Sequence, residues 1–400
     1  MKYWRGYLTA AIFAAITWAL TQLGSKFSTL VDMVYPYVTR MLMTYLNNWS
    51  DSVDFLLWQV LAVFLGVLLL VSIVLMIVLK WNPIQWFGWV AAVGCGLFML
   101  HTVVYGLNTY ASPLAEDIRM DTSDYTLSEI AEAVTYYRDK ASDLAEDMPR
   151  DENGSLVYSD FETLAEQAGE GFDWLVYERS YPVFAGSKSP VKKRGWADMY
   201  SSMGITGVTM GLTGEAAVNP QIPAVALPFT MCHEMAHRMS IVVERDANFA
   251  GFLACRFNPS KEFQYSAYFM AYRYTLNTLR SIGTSSANAL ATEIAAGAGE
   301  ELARDMEAYD EFFRSRKDEK ATKVADTAND TYLKTTGDSE GIKSYGNVGD
   351  LLVNWYIQEI ILPTQVEEES KFDPYDENQV DLQGIVNAVV PDTTGGTEGE

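Results

Sequence analysis

The chain has 400 residues, and its 29 Lys and Arg against 52 Asp and Glu give a net charge of -23. Residues 1–106 carry net +2 and residues 107–400 net -25, so an apolar first quarter precedes an acidic remainder that repels phosphate backbones and argues against a nucleic-acid partner. Three cysteines, one of them inside an apolar run, exclude a disulfide framework and permit at most one bridge.

In chain order, Tyr7 to Leu23 follows Lys2 and Arg5 and reads as a first membrane span, because no small-x-small cleavage site follows its apolar core. The loop from Lys26 to Asp54 holds an amphipathic stretch, Phe27 to Leu46, broken at Pro36 and expected to lie along the outer surface of the membrane. Phe55 to Leu79 has only Gln59 and Ser72 as strongly polar members, enough to cross about 30 Å of hydrocarbon as a tilted helix. A third span is expected over 84–107, with Trp81, Trp86 and Trp89 at its headgroup end. His101, within it, reads as a packed or snorkelling side chain. Lys2, Arg5 and Lys80 fall on one side of these spans and Lys26 and Arg40 on the other, which places residues 107–400 outside the cytoplasm of a multi-pass protein of the cell membrane.

The expected organisation is a membrane region over 1–110, an outer domain over 111–362 and an acidic tail over 363–400 predicted to be disordered. The fold class is mainly α, in the α+β sense: three spans, then a mostly helical domain with a small β-sheet. Thr126 with Glu129 and Ser159 with Glu162 are capping-box pairs, with helical periodicity to about Met148 and Val176. Only Ile205 to Ala226, punctuated by Gly207, Gly211, Gly214, Pro220 and Pro223, offers strands. Helices return from Pro228, with a long one over about Ser285 to Arg316 and a last one over about Tyr345 to Leu362.

The chemistry lies in His233-Glu234-Met235-Ala236-His237, a His-Glu-x-x-His pattern. On a helix, residues four apart share a face, so both imidazoles reach one metal while Glu234 reaches a water on it. The competing reading is a surface helix with two histidines and no metal. A catalytic zinc takes a third protein ligand, and the nearest acids are Glu244 and Asp246. On a straight helix Glu244 would stand about 10 Å along the axis from His237, so the chain must turn. The run Ser240-Ile241-Val242-Val243 is the expected turning point, since β-branched residues make a poor helix interior. A second helix from Glu244 then places Asn248 on the same face, which makes Glu244 the expected ligand and Asn248 a group that orients a ligand. Asp246 points elsewhere and reads as a salt-bridging residue. Cys232 and Cys255 read as buried thiols, with a bridge between them as the alternative.

Several segments together resemble a family of bacterial membrane proteins known only as a domain of unknown function, within the zincin-like metallopeptidase superfamily. They are Tyr35-Pro36-Tyr37, Tyr105 through Tyr110, Thr213 through Asn219, Leu227 through Thr230, Cys232 through His237, Glu244 through Phe249, and Gly341 with Ser344-Tyr345-Gly346. The resemblance implies a gluzincin-like site: one zinc per chain held by His233, His237 and Glu244. Where this family usually carries Gln and Gly after the second histidine, this chain has Arg238-Met239-Ser240, a departure that bears on how Glu244 approaches. Related zincins bind substrate backbone along an edge strand, for which Gly214, Glu215, Ala216 and Asn219 are the candidates. Tyr345, and after it Tyr265, are candidates to donate a phenol to an oxyanion.

The expected activity is that of a membrane-anchored zinc metallopeptidase cutting peptides or proteins outside the membrane, with Glu234 as general base. The rival is a non-catalytic, zinc-stabilised scaffold or sensor of the cell envelope. Structural zinc sites usually close with four protein ligands, and this pattern supplies three.

Overall fold

A computed structural model describes residues 2–336 and 348–364. Helix α1 (Arg5–Lys26) leads through a one-residue turn into α2 (Ser28–Ser50), followed by α3 (Leu57–Val78) and α4 (Pro83–Val104). Helices α1, α3 and α4 are each 22 residues and apolar enough to cross a membrane. Gly6 of α1 meets Gly88 of α4 so closely that a Cβ on Gly6 would stand 2.5 Å from the Gly88 carbonyl carbon, a small-residue contact suited to helices in lipid. No residue of α3 is buried, as its aliphatic surface all round requires of a lipid-facing helix.

The expected break at Pro36 does not occur, because α2 runs through it. The ring removes one backbone hydrogen bond, and packing of Thr39, Arg40, Met43, Asn47 and Ser50 against the rest of the chain holds the helix across the gap. Its opposite stripe, Met33, Tyr37, Met41 and Tyr45, is exposed.

After α4 come α5 (Leu114–Asp117) and α6 (Leu127–Glu146), the latter opened by the expected Thr126–Glu129 capping box. The next cap is displaced by one residue: Asp160, not Ser159, accepts from Thr163 N at 3.0 Å and opens α7 (Phe161–Gln167). The single helix expected to Val176 is two, since α8 (Glu170–Tyr177) starts anew after Gly169, a poor helix former. Then come β1 (Lys192–Lys193), α9 (Ala197–Ser202), β2 (Gly207–Met210), β3 (Glu215–Val218), α10 (Leu227–Arg238), α11 (Glu244–Arg256) and α12 (Lys261–Ser281). The long helix expected over 285–316 is also two, α13 (Ser285–Ala296) and α14 (Glu300–Arg316), parted at Gly297 and Gly299, where Gly299 N donates to Ser142 Oγ. Helices α15 (Glu319–Thr336) and α16 (Val348–Tyr356) complete the order.

Among the described residues the sheet has three strands in the order β1-β3-β2. Strand β3 is central, parallel to β1 with Lys192 opposite Ala217, and antiparallel to β2 with Gly207 opposite Val218. The core lies between α6, α10, α11 and α12, where Tyr137 and Phe252 meet edge to face at 5.7 Å and Phe249, Phe263 and Phe269 are fully buried. One compact unit spans Met1–Asn354, so the three long apolar helices and the sheet belong to the same body. The second unit, Trp355–Glu400, is described as far as residue 364; it contains a π-helical turn at Ile357–Ile361, and Pro363 and Thr364 are helical. Residues 365–400, the rest of the expected tail, lie outside the described residues.

Candidate metal centre

Helix α10 places His233 and His237 one turn apart on one face, with rings 4.6 Å between centroids and nearly perpendicular. The helix stops in a Schellman arrangement: Ser240 N donates to the His237 carbonyl at 2.9 Å, Ile241 N to the Ala236 carbonyl at 3.2 Å, and Ser240 takes φ +71°. That left-handed position favours glycine; here a serine occupies it, and its hydroxyl lies 3.0 Å from Thr39 Oγ1 of α2. Ile241 to Val243 then turn the chain, and α11 begins at Glu244, within the stretch where the β-branched run suggested a turn.

The turn returns Glu244 to the histidines. Its Oε2 lies 3.3 Å from His233 Nε2 and 3.4 Å from His237 Nε2, and the three ligand atoms stand within 4.8 Å of one another. Tetrahedral ligands about 2.1 Å from a divalent ion stand about 3.4 Å apart, so this spacing fits one metal ion. His237 Nδ1 is 2.8 Å from the Ile241 carbonyl. Donation there fixes the orientation of the ring, and in the neutral imidazole it would leave Nε2 available to a metal. His233 Nδ1 is buried without a hydrogen-bond partner among the described residues. Electrostatics draw the triad together: burial presses the His237 imidazolium down, but Glu244 outweighs it and raises the group to about 9. Burial alone would raise the Glu244 carboxyl, and the two imidazoles instead hold it well below the usual carboxylate range.

Glu234 projects into a cleft of about 530 Å³ that also contains His233, His237 and Glu244. Thr209 of β2 donates its hydroxyl to Glu234 Oε2 at 2.7 Å and lies 2.8 Å from the Glu234 carbonyl. Two residues earlier on the strand, a Cβ on Gly207 would fall 2.3 Å from Glu234 Oε1, so only glycine leaves room for this carboxylate. Arg194 donates to the Gly207 carbonyl at 2.9 Å, and its guanidinium lies 3.3 Å from the Tyr200 ring centre. Sequence reasoning passed over these residues. The alternation of Gly207 and Thr209 on one face of a short strand was the available signal.

The strand expected to receive substrate is displaced. Gly214 holds a turn with φ +70°, Glu215 to Val218 form the central strand with both edges paired, and Asn219 Nδ2 donates to Ser201 Oγ at 2.8 Å. Edge strand β2 lies beside the site instead. Ala216 is buried, and Glu215 has a different role, accepting from Leu57 N at 2.8 Å and Trp58 N at 2.9 Å while Lys192 Nζ lies 3.0 Å away. This carboxylate therefore caps the start of α3. Asn248 sits one turn after Glu244, where its Oδ1 accepts from Tyr274 Oη at 3.3 Å. Asp246 accepts from Leu114 N at 2.9 Å and from Arg245 Nε at 3.0 Å, away from the triad. Tyr265 donates to Asp305 at 2.5 Å, in a cluster with Arg150 and outside the cleft. Tyr345, like Gly341 and Ser344, lies outside the described residues. Cys232 and Cys255 are both buried and free.

Two other tyrosines line the cleft. Tyr105, the first residue after α4, donates its hydroxyl to the His237 carbonyl at 3.1 Å. Tyr332 of α15 lies 2.9 Å from His101 Nε2, and burial, reinforced by the charge of Glu244, raises its phenol to about 12. No curated protein and no solved structure matches the chain. A family model described as "Protein of unknown function (DUF3810)" matches residues 31–353, and the chain belongs to that family.

Proposed function

We propose that the chain is a membrane-anchored, zinc-dependent metallopeptidase of the zincin-like type, hydrolysing peptide bonds outside the cytoplasmic membrane. The observation that carries this reading is the convergence of both histidine Nε2 atoms on one oxygen of Glu244, with the Glu234 carboxylate turned into the same cleft. Two imidazoles and one carboxylate are the donor set of catalytic zinc, which keeps a position open. A non-catalytic scaffold or sensor site would call for a fourth protein ligand, and among the described residues the metal-ligating group contains three.

A bound zinc ion supplies Lewis acidity that activates water and polarises a carbonyl. Glu234, aimed by the Thr209 hydroxyl and given room by Gly207, takes a proton from the attacking water and returns it to the departing amine nitrogen. The outer edge of β2 offers backbone groups to an extended peptide. Tyr332 keeps its proton at neutral pH and supplies an O–H donor to developing negative charge. The extracytoplasmic placement rests on Lys2, Arg5 and Lys80 against Lys26 and Arg40. Arg40 is buried with its Nε on the Met239 carbonyl, so its charge is engaged within the protein and weighs less against that orientation.

Elemental analysis of the purified full chain tests the site. One zinc per chain is expected, lost in His237→Ala and Glu244→Ala. Glu234→Gln should keep the zinc and lose about 10²- to 10⁴-fold in peptide turnover. Undiminished turnover in that variant would remove Glu234 from the mechanism, and a metal-free native chain after reconstitution would overturn the reading.

A further inference from the structure

We infer that the substrate is the juxtamembrane segment of a membrane-anchored polypeptide, taken within the headgroup layer, an inference that rests on the peptidase reading above. Three marks on the molecule place the bilayer surface, and the cleft lies at that level.

The first mark is the outer end of α4. Leu100 and Val103 are exposed on a helix apolar enough to span, so hydrocarbon reaches the last turn before Val104. Tyr105 follows at once and lines the cleft, and Thr109 of the short turn after it lines the cleft as well. His101, still inside α4 and about 4.5 Å of helix rise from its end, bonds Tyr332 on the α15 side of the cleft. The cleft is thus joined directly to a residue at the depth of the span.

The second mark is α2. Its exposed stripe of Met33, Tyr37, Met41 and Tyr45 is apolar with aromatic members, and its buried stripe grips the turn that follows the metal helix. A helix divided this way lies in the interface plane with its apolar face in the acyl boundary. The third mark is the start of α3 at Leu57, held by Glu215 of the sheet that carries β2.

A globular substrate from solution would have to press a loop into the headgroup layer to reach Glu234. A chain leaving its own membrane span advances about 3.3 Å per residue when extended, and so arrives at the cleft within its first few residues. The architecture therefore selects by distance from the membrane.

The test co-reconstitutes the full zinc-loaded chain in phosphatidylcholine vesicles with a mixed-sequence peptide library fused to a single membrane-spanning helix. The fusion is either direct or through a Gly/Ser linker of about 40 residues, which spans about 35 Å. Both probes are confined to the vesicle, so tethering alone does not separate them. Cleavage of the direct fusion is expected to be at least about tenfold faster, with cuts mapped to the first few residues outside the bilayer. Equal rates, or faster cutting of the long-linker probe, would overturn the inference and leave the peptidase reading standing. No cleavage of either probe or of the free library by zinc-loaded protein would overturn the peptidase reading itself. Binding is read apart from turnover with Glu234→Gln protein and photoreactive versions of the same probes. The direct fusion should crosslink to the Ile205–Val208 or Tyr105–Thr109 segments, and crosslinking by the long-linker probe alone would count against the inference.

Discussion

Arg238, the last residue of the histidine-bearing helix α10, donates from Nη1 to Asn47 Oδ1 of α2 at 2.8 Å, and both side chains are almost wholly buried. The guanidinium also bonds the Ser189 carbonyl, and burial lowers it to about 10. A charge this deep is tolerated only while its hydrogen bonds are made. The joint therefore couples α2 to the histidine helix.

Asn47→Ala should destabilise the chain by about 1.5–3 kcal/mol, because it strips a partner from a buried charge and leaves the charge in place. Met41→Ala, on the exposed stripe of the same helix, should change stability by less than about 0.5 kcal/mol. Denaturant unfolding in detergent checks both. Equal effects at the two positions would mean that the Arg238 contact carries no particular weight.

Gly207→Ala should displace the Glu234 carboxylate, since the new methyl would lie within 2.3 Å of Oε1. Zinc content should be unchanged while turnover falls, and Thr209→Val should do the same more mildly by removing one hydrogen bond worth about 1 kcal/mol. Loss of zinc in Gly207→Ala would instead show that β2 supports the ligands.

Much of the geometry of the candidate site was legible in sequence because its parts are local. The histidine pair needs only helical periodicity, and Glu244 needs only a turn that the run through Val243 advertises. Whether a strand is central or at an edge depends on pairing partners distant in the chain, which is why Gly214 to Asn219 read as an edge strand when Gly207 to Met210 is the one at the edge. The contact of His101 with Tyr332 joins residues 231 apart, beyond any spacing rule. Gly297 and Gly299 show a smaller failure: helical periodicity continued across them while the helix did not.

Glu215 provides a test that separates anchoring from substrate binding. Glu215→Ala leaves Lys192 without its carboxylate and the first amides of α3 uncapped, and breaking a buried pair in this way costs about 3–5 kcal/mol. The thermal midpoint should fall markedly, while KM for peptide, measured well below that midpoint, should hold. A raised KM with unchanged stability would return Glu215 to the substrate strand.

Cutting the chain after the membrane region should disable the metal site as well as detach it. A fragment over 112–365 loses the Tyr105 bond to the His237 carbonyl, the Arg40 bond to the Met239 carbonyl, the Thr39 contact with Ser240 and the Asn47 partner of Arg238. At about 0.5–1.5 kcal/mol for each of the two neutral contacts and 1.5–3 for each of the two guanidinium bonds, the loss is roughly 4–9 kcal/mol. That is comparable with the whole stability of a typical domain, about 5–15 kcal/mol. Every one of these contacts acts on the turn that carries the chain from His237 to Glu244, so the ligand set loosens before the rest of the core does. Zinc titration should accordingly give weaker or no binding in the fragment and one tight site in the full chain in detergent. Equal affinity in both would mean that α11 alone fixes the approach of Glu244 and that the membrane region is only an anchor.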